Sequence, residues 1–182
     1  MLPRRRVLAL IAALAAVPLA RAETAPPAEV RAALPGARLQ GQGSMRFLGM
    51  AVYDARLWSA AQPVRGDDWL QPLALELVYA RRLNGRQIAE RSLEEMRRVG
   101  PVAPDQAERW LAEMTRLFPD VRDGDRITGV QLPGEGVRFY VNAQVRGEVR
   151  DPDFGRLFFG IWLSPRTSAP RLRESLLGSG RS

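Results

Sequence analysis

Residues 71–80, QPLALELVYA, put Leu73, Leu75, Leu77 and Tyr79 on one side of an extended chain and Ala74, Glu76, Val78 and Ala80 on the other. A clean period of two predicts a half-buried strand, one face on a core and one toward water, which is the habit of antiparallel sheets. The rest of the chain must supply partners for that strand and a cover for its apolar face. From Ala37 to Ser59, Gly41, Gly43 and Gly49 interrupt apolar and aromatic residues, and Met50 to Trp58 roughly alternates, as two strands joined or bent at a glycine would. Asp123-Gly124 and Pro133-Gly134 bracket Arg126 to Leu132, and Gly136 to Asn142 alternates again, so a hairpin follows, with Val145 to Arg150 a further short strand.

The cover is helical. Asn84 with Gln87 three residues on forms a capping-box pattern, and Ile88, Leu93 and Met96 line one side of a helix that stops before Gly100-Pro101. Ala107, Trp110, Leu111, Met114, Leu117 and Phe118 mark a second amphipathic helix ending at Pro119. Phe154, Leu157, Phe158, Ile161 and Trp162 give a third stripe, and Ser168 as N-cap, Pro170 and Gly178 frame a last short helix. Strands and helices in separate runs with hairpin links define an α+β fold, an antiparallel β-sheet packed against a layer of helices.

The first 22 residues read separately. Arg4-Arg5-Arg6 precedes a 14-residue apolar run, Val7 to Ala20, and an Ala20-Arg21-Ala22 cleavage pattern. As a helix that run would span about 21 Å against a hydrocarbon core of about 30 Å, so residues 1–22 are expected to be a cleaved signal peptide and no permanent membrane anchor. The general and twin-arginine export routes both remain open, and the location expected is periplasmic or secreted. Residues 23–36, Ala/Pro-rich, are expected to be a flexible segment before a single domain over 37–179.

All 27 basic residues are arginine, and four of them leave with the leader while the 20 acids stay, so the net charge falls from +7 to about +3. That balance argues against a nucleic-acid partner. Neither Cys nor His occurs, which excludes thiol nucleophiles, disulfides, imidazole acid–base chemistry and His- or Cys-based metal sites; no cofactor or metal is expected.

GQGSMRFLGMAVYDARLW (41–58), VGPVAPDQAERWLAEMTRLF (99–118) and FFGIWLSPRTSAPRLRESLLG (158–178), in this order and spacing, resemble the chalcone isomerase-like family, and its bacterial secreted branch in particular. The resemblance implies an open-faced sandwich with a cleft between sheet and helices. In the plant enzymes that cleft takes a flavonoid precursor, and in related proteins a fatty acid. It also implies an arginine on the first hairpin, a threonine on the next strand and a tyrosine just before the second helix as the polar site of catalytic members. Arg46 matches the arginine best, with Arg38 a rival; Leu48 or Tyr53 falls where the threonine would be. The family's Val-Gly-Thr-Tyr-Gly run corresponds to Val99-Gly100-Pro101-Val102-Ala103, so Val102 stands at the tyrosine position. Two of three polar groups are absent, which argues against chalcone isomerase activity.

The site expected is therefore a ligand-binding one made by Arg46, Tyr53, Tyr79 and Val102, with no catalytic residue. A guanidinium fork and a tyrosine hydroxyl suit the carboxylate of a small amphipathic molecule such as a fatty acid. Arg46 and Tyr53 are an odd seven residues apart, so a bulge near Gly49 is needed for both to face inward; the alternative puts Arg46 on the solvent face. Tyr79 belongs either to the cleft wall or to the core. Arg81, Arg82 and Arg86 are expected to be a solvated rim, Glu94, Glu95 and Asp105 helix-surface acids, and Trp110, Phe154, Phe158 and Trp162 core. Two other classes stay open: an isomerase or lyase on an enone-like substrate, with Tyr53 or Tyr140 giving the proton, and a cell-envelope interaction module with a filled cleft and a protein partner the sequence does not identify.

Overall fold

The computed structural model describes residues 25–60, 62–66 and 68–178. The expected signal peptide lies outside these residues. The elements run α1 (Ala28–Ala33), β1 (Arg38–Phe47), β2 (Met50–Ser59), β3 (Leu73–Tyr79), α2 (Gly85–Val99), α3 (Pro104–Leu117), β4 (Arg126–Leu132), β5 (Gly136–Val141), β6 (Gln144–Val149), α4 (Pro152–Leu163) and α5 (Pro170–Leu177). The six strands form one antiparallel sheet in sequence order, β1-β2-β3-β4-β5-β6. The pair α2–α3 is a helical insertion between neighbouring strands β3 and β4, so no crossover is needed. The α+β sandwich expected from the alternating and helical runs is what the chain forms.

Local chemistry sets the helix ends. Asn84 Oδ1 accepts from the Gln87 N–H at 3.2 Å, and Gln106 Oε1 accepts from the Ala103 N–H at 3.1 Å just before Pro104 starts α3. Asp151 caps α4 through Oδ1, accepting from the N–H groups of Asp153 and Phe154, while its Oδ2 accepts from Trp110 Nε1 at 2.9 Å and so ties α3 to α4. For α5 the cap residue is Ala169 rather than Ser168, and Thr167 Oγ1 takes the Ala169 N–H at 3.1 Å.

The inner face of the sheet carries the main core. Phe139, Phe154 and Phe158 form a ring cluster, Phe154 stacked on Phe158 at 5.4 Å and Phe139 edge-on to Phe158 at 5.2 Å. Each such pair adds about 0.5–1.5 kcal/mol beyond the area it buries. Helices α4 and α5 lie close: a Cβ at Gly160 would sit 2.6 Å from Val99 Cγ1, and one at Gly41 would sit 2.2 Å from the Ser175 carbonyl oxygen. Only glycine lets α4 meet α2 and α5 meet β1 at these distances. Helix α2 packs chiefly on α4 and α3 rather than on the strands beneath it.

Two expectations differ from the structure on the outer face. Residues 23–36 contain α1, whose Val30 and Leu34 pack on Trp58, Ala74, Val130 and Tyr140. As a result β3 is buried on both faces rather than half-buried, and Glu76, at an outward position, is 1 % exposed. Glu76 takes a hydrogen bond from Trp58 Nε1 at 3.1 Å and one from Arg56 at 3.3 Å; Arg126, 3.7 Å away, also binds Glu29 of α1 at 3.0 Å. The carboxylate on the polar side of the alternation is thus held by ion pairs rather than by water.

Candidate functional site

Because α2 rides on α4 and α3, a space remains between it and strands β2, β3 and β4. It is a cavity of about 370 Å³, walled on the sheet side by Met45, Tyr53, Leu77, Tyr79 and Ile127 and on the helix side by Phe118, Phe158, Ile161 and Trp162. Its size and apolar lining match small-molecule pockets. A bulge shapes the sheet wall. Met45 pairs with Tyr53 but Arg46 pairs with Ala51, which leaves Val52 unmatched and turns both Val52 and Tyr53 toward the cavity.

The polar groups in this wall are few. The Tyr53 hydroxyl oxygen accepts from Trp162 Nε1 at 2.9 Å, so its own proton is left for a ligand. Burial, with a smaller push from the Glu95 charge, raises the Tyr53 pKa to about 12 against the lowering effect of that hydrogen bond, so the hydroxyl is a donor throughout the physiological range. Tyr79, paired directly across from Tyr53 and edge-on to it at 5.9 Å, is also pushed up by burial, and no protein hydrogen bond engages its hydroxyl among the described residues. From α2, Gln87, Arg91 and Glu95 at intervals of four present one stripe to the cavity beside Ile88 and Ser92. Glu95 is 5 % exposed and lies between Arg91, 2.5 Å from its Oε1, and Arg98, 3.2 Å from its Oε2. The Arg91 contact lacks the alignment of a hydrogen bond, so Oε1 has charge compensation without a directed donor.

The four residues expected at the site separate. Tyr53 and Tyr79 line the cavity, whereas Arg46 and Val102 do not. Met45 and Phe47 point inward, so Arg46 between them points out, exposed, with its nearest polar partner the Gly49 carbonyl oxygen at 3.3 Å. The extra residue Val52 sets Tyr53 opposite Met45, so Tyr53 shares the inward face of Met45 and not the face of Arg46. Val102 is half-buried against the main core beyond the C-terminal end of α2, past the stretch of that helix that faces the cavity. Leu48 is at the tip of the β1–β2 hairpin, 82 % exposed.

Other differences follow from the same geometry. Glu95 is a buried acid of the cavity wall rather than a surface acid, Arg81 lines the cavity, and Phe158 and Trp162 belong to the core and to the cavity wall at once. The signal for Gln87, Arg91 and Glu95 was their interval of four next to Ile88, which places a polar stripe along the edge of an apolar helix face. Among the described residues no cluster of acidic side chains could hold a metal ion, and no helix is long and apolar enough to cross a membrane.

The family model described as chalcone isomerase-like matches residues 22–178. The chain belongs to the chalcone isomerase-like family. An uncharacterized protein of Haemophilus influenzae is 29 % identical to this family member over 131 residues, 72 % of the chain and 63 % of the relative, so the chain spans less than two thirds of that relative's length. A crystal structure of an Arabidopsis thaliana fatty-acid binding protein superposes with a TM-score of 0.64 over 80 % of this chain and 88 % of that one, at 16 % identity. That likeness shows that the two chains share a fold.

Proposed function

We propose that this chain binds a fatty acid or similar small amphiphile in the cavity beneath α2 and does not transform it. The observation that carries the reading is an apolar space of about 370 Å³ with the free proton of the Tyr53 hydroxyl in its wall. A carboxylate there would accept from Tyr53 and face Tyr79 and Arg91, while its hydrocarbon lies against Leu77, Ile127 and Phe158. The fatty-acid-binding name of the Arabidopsis protein with the same fold supports an amphiphile as the ligand class. The outward direction of Arg46 favours binding over an isomerase or lyase, since no guanidinium from the first hairpin reaches a carbonyl in the cavity. An open cavity likewise disfavours an interaction module with a filled cleft.

Denaturing extraction of the purified chain followed by mass spectrometry should release an acyl species, and Tyr53→Phe should deplete it. Empty protein that also fails to bind a fluorescent fatty acid would sink the reading. The leader pattern of residues 1–22 supports export to the periplasm or outside the cell as part of this reading. N-terminal sequencing of the periplasmic fraction should begin at Glu23.

A further inference from the structure

The β1–β2 hairpin ends in Phe47-Leu48-Gly49-Met50, with Phe47 61 %, Leu48 82 % and Met50 50 % exposed. These are three of the five large exposed hydrophobic residues described, and they are consecutive in space rather than scattered. Leu48 also has φ of 49° and Gly49 φ of 80°, the two positive values of a two-residue hairpin turn. The other such turn, between β5 and β6, gives its first place to Asn142 at the same φ of 49°, and Asn142 uses its side chain to bond the Arg126 N–H and Asp125. A leucine in that conformation is disfavoured by its Cβ, and at 82 % exposure its side chain buries little in return. Its side chain is presented outward instead.

The tip is continuous with the mouth of the cavity, since Phe47 and Met45 both line it. Arg46 and Arg81 lie beside it, and Arg82 follows Arg81 in the chain. Arg81 lines the cavity and reaches Met50 Sδ at 3.7 Å, Arg46 bonds only the Gly49 carbonyl, and Arg82 is exposed; none of the three pairs with an acid among the described residues. Of the acids at this end of the sheet, Asp54 is engaged by Ser44, Asp120 by Asn84 and the Gly85 N–H, and Asp125 by Asn142 and the Arg122 N–H, which leaves Asp123 exposed among the arginines.

We propose that the hairpin tip Phe47-Leu48-Gly49-Met50, with its collar of Arg46, Arg81 and Arg82, docks reversibly on an anionic phospholipid surface and sets the cavity mouth against the bilayer from which the amphiphile enters. This deepens the binding function above and rests on it. Apolar side chains inserted at the acyl boundary with arginines at headgroup level are the arrangement an anionic interface rewards. The charge of the collar selects such lipids over neutral ones.

The test is flotation of the full chain with vesicles of phosphatidylglycerol and phosphatidylcholine, against phosphatidylcholine alone, for wild type, Leu48→Asn/Met50→Ser, and Arg46→Ala/Arg82→Ala. All carry the same N-terminus, so any contribution of residues 1–24 cancels. The apolar double variant should lose about tenfold in vesicle binding, and the arginine double variant about tenfold or more on anionic vesicles only. Binding of a fluorescent fatty acid in vesicle-free buffer should be unchanged by Leu48→Asn/Met50→Ser, which shows that the variant is folded. Equal flotation of wild type and both variants overturns docking. So does a wild-type dimer that the apolar variant dissolves without any flotation, which would make the tip a contact between copies. Flotation that follows the tip without fatty-acid binding by wild type leaves docking standing and removes the cavity function instead.

Discussion

On the outer face of the sheet the Glu76 carboxylate is met by Trp58, Arg56 and Arg126, with Glu29 and Thr128 continuing the chain of contacts to α1. On the inner face of the same two strands, the Tyr53 hydroxyl receives one hydrogen bond and keeps a proton to give, and no hydrogen bond from the described residues engages the Tyr79 hydroxyl. Both faces bury polar groups, yet one saturates them and the other leaves capacity beside empty apolar space. A saturated network resists change and fixes how α1 covers the sheet; an unsaturated one can take a ligand. The difference separates structural from functional polarity within a single sheet.

The strongest way to break this contrast is Glu76→Ala. It takes the acceptor from the Trp58 N–H and the carboxylate from Arg56, while Arg126 keeps Glu29, and removing one member of a buried ion pair costs up to about 3 kcal/mol. A fall of that size in the urea unfolding free energy, with fatty-acid affinity unchanged in the folded protein, supports a structural outer face. If affinity collapsed while stability held, the division between faces would be wrong. Tyr53→Phe is the mirror experiment. It removes the donor for the ligand's carboxylate, worth about 1.5–3 kcal/mol or roughly tenfold or more in affinity, and leaves the Trp162 N–H without its acceptor at about 1 kcal/mol in stability. Displacement of a fluorescent fatty acid reads the first quantity and denaturant titration the second.

The pH dependence sharpens the same point. Tyr53 holds its proton to about 12 in the folded chain against an ordinary value of 10.0. Below about 10 both folded and unfolded chains are protonated there and its contribution is constant. Between about 10 and 12 the folded chain binds more proton than the unfolded one, so stability is lost as pH rises through that window. Burial pushes Tyr79 in the same direction. Thermal melts across this range should show a decline that Tyr53→Phe makes shallower, and ultraviolet titration of the phenolate should show ionisation delayed relative to free tyrosine. A Tyr53 that ionises near 10 would mean that water fills its side of the cavity.

The order of strands and helices was legible because period-two runs, caps and Gly/Pro stops are local. The polarity of each face was not. Glu76 sits at an outward place in QPLALELVYA and reads as a solvated acid until Arg126 arrives from β4 and Glu29 from a residue 97 positions before that arginine. The direction of Arg46 depends on one unmatched residue, Val52, and a bulge of one residue leaves no compositional mark on MAVYDARLW. Tyr53 and Tyr79 were reachable because each lies on the apolar side of its strand. Glu95 was missed because Arg91 and Arg98, which flank it at helical spacing, read equally well as surface pairs on an exposed face.

The smallest effect tests the two hairpin turns against each other. Leu48 and Asn142 share φ of 49°, but Asn142 earns its conformation with hydrogen bonds and Leu48 does not. Leu48→Asn should therefore raise stability by about 0.5–1 kcal/mol, since asparagine tolerates the left-handed region better than a γ-branched side chain. The reverse change, Asn142→Leu, should cost more than that gain, because it also strips the Arg126 N–H and Asp125 of their partner. A pair of denaturant titrations decides it. Stabilisation by Leu48→Asn would mean that this position is kept at a cost to the fold, as a residue selected for contact outside the chain would be; destabilisation would mean that Leu48 packs within the fold, and the hairpin tip would lose its claim to a lipid surface.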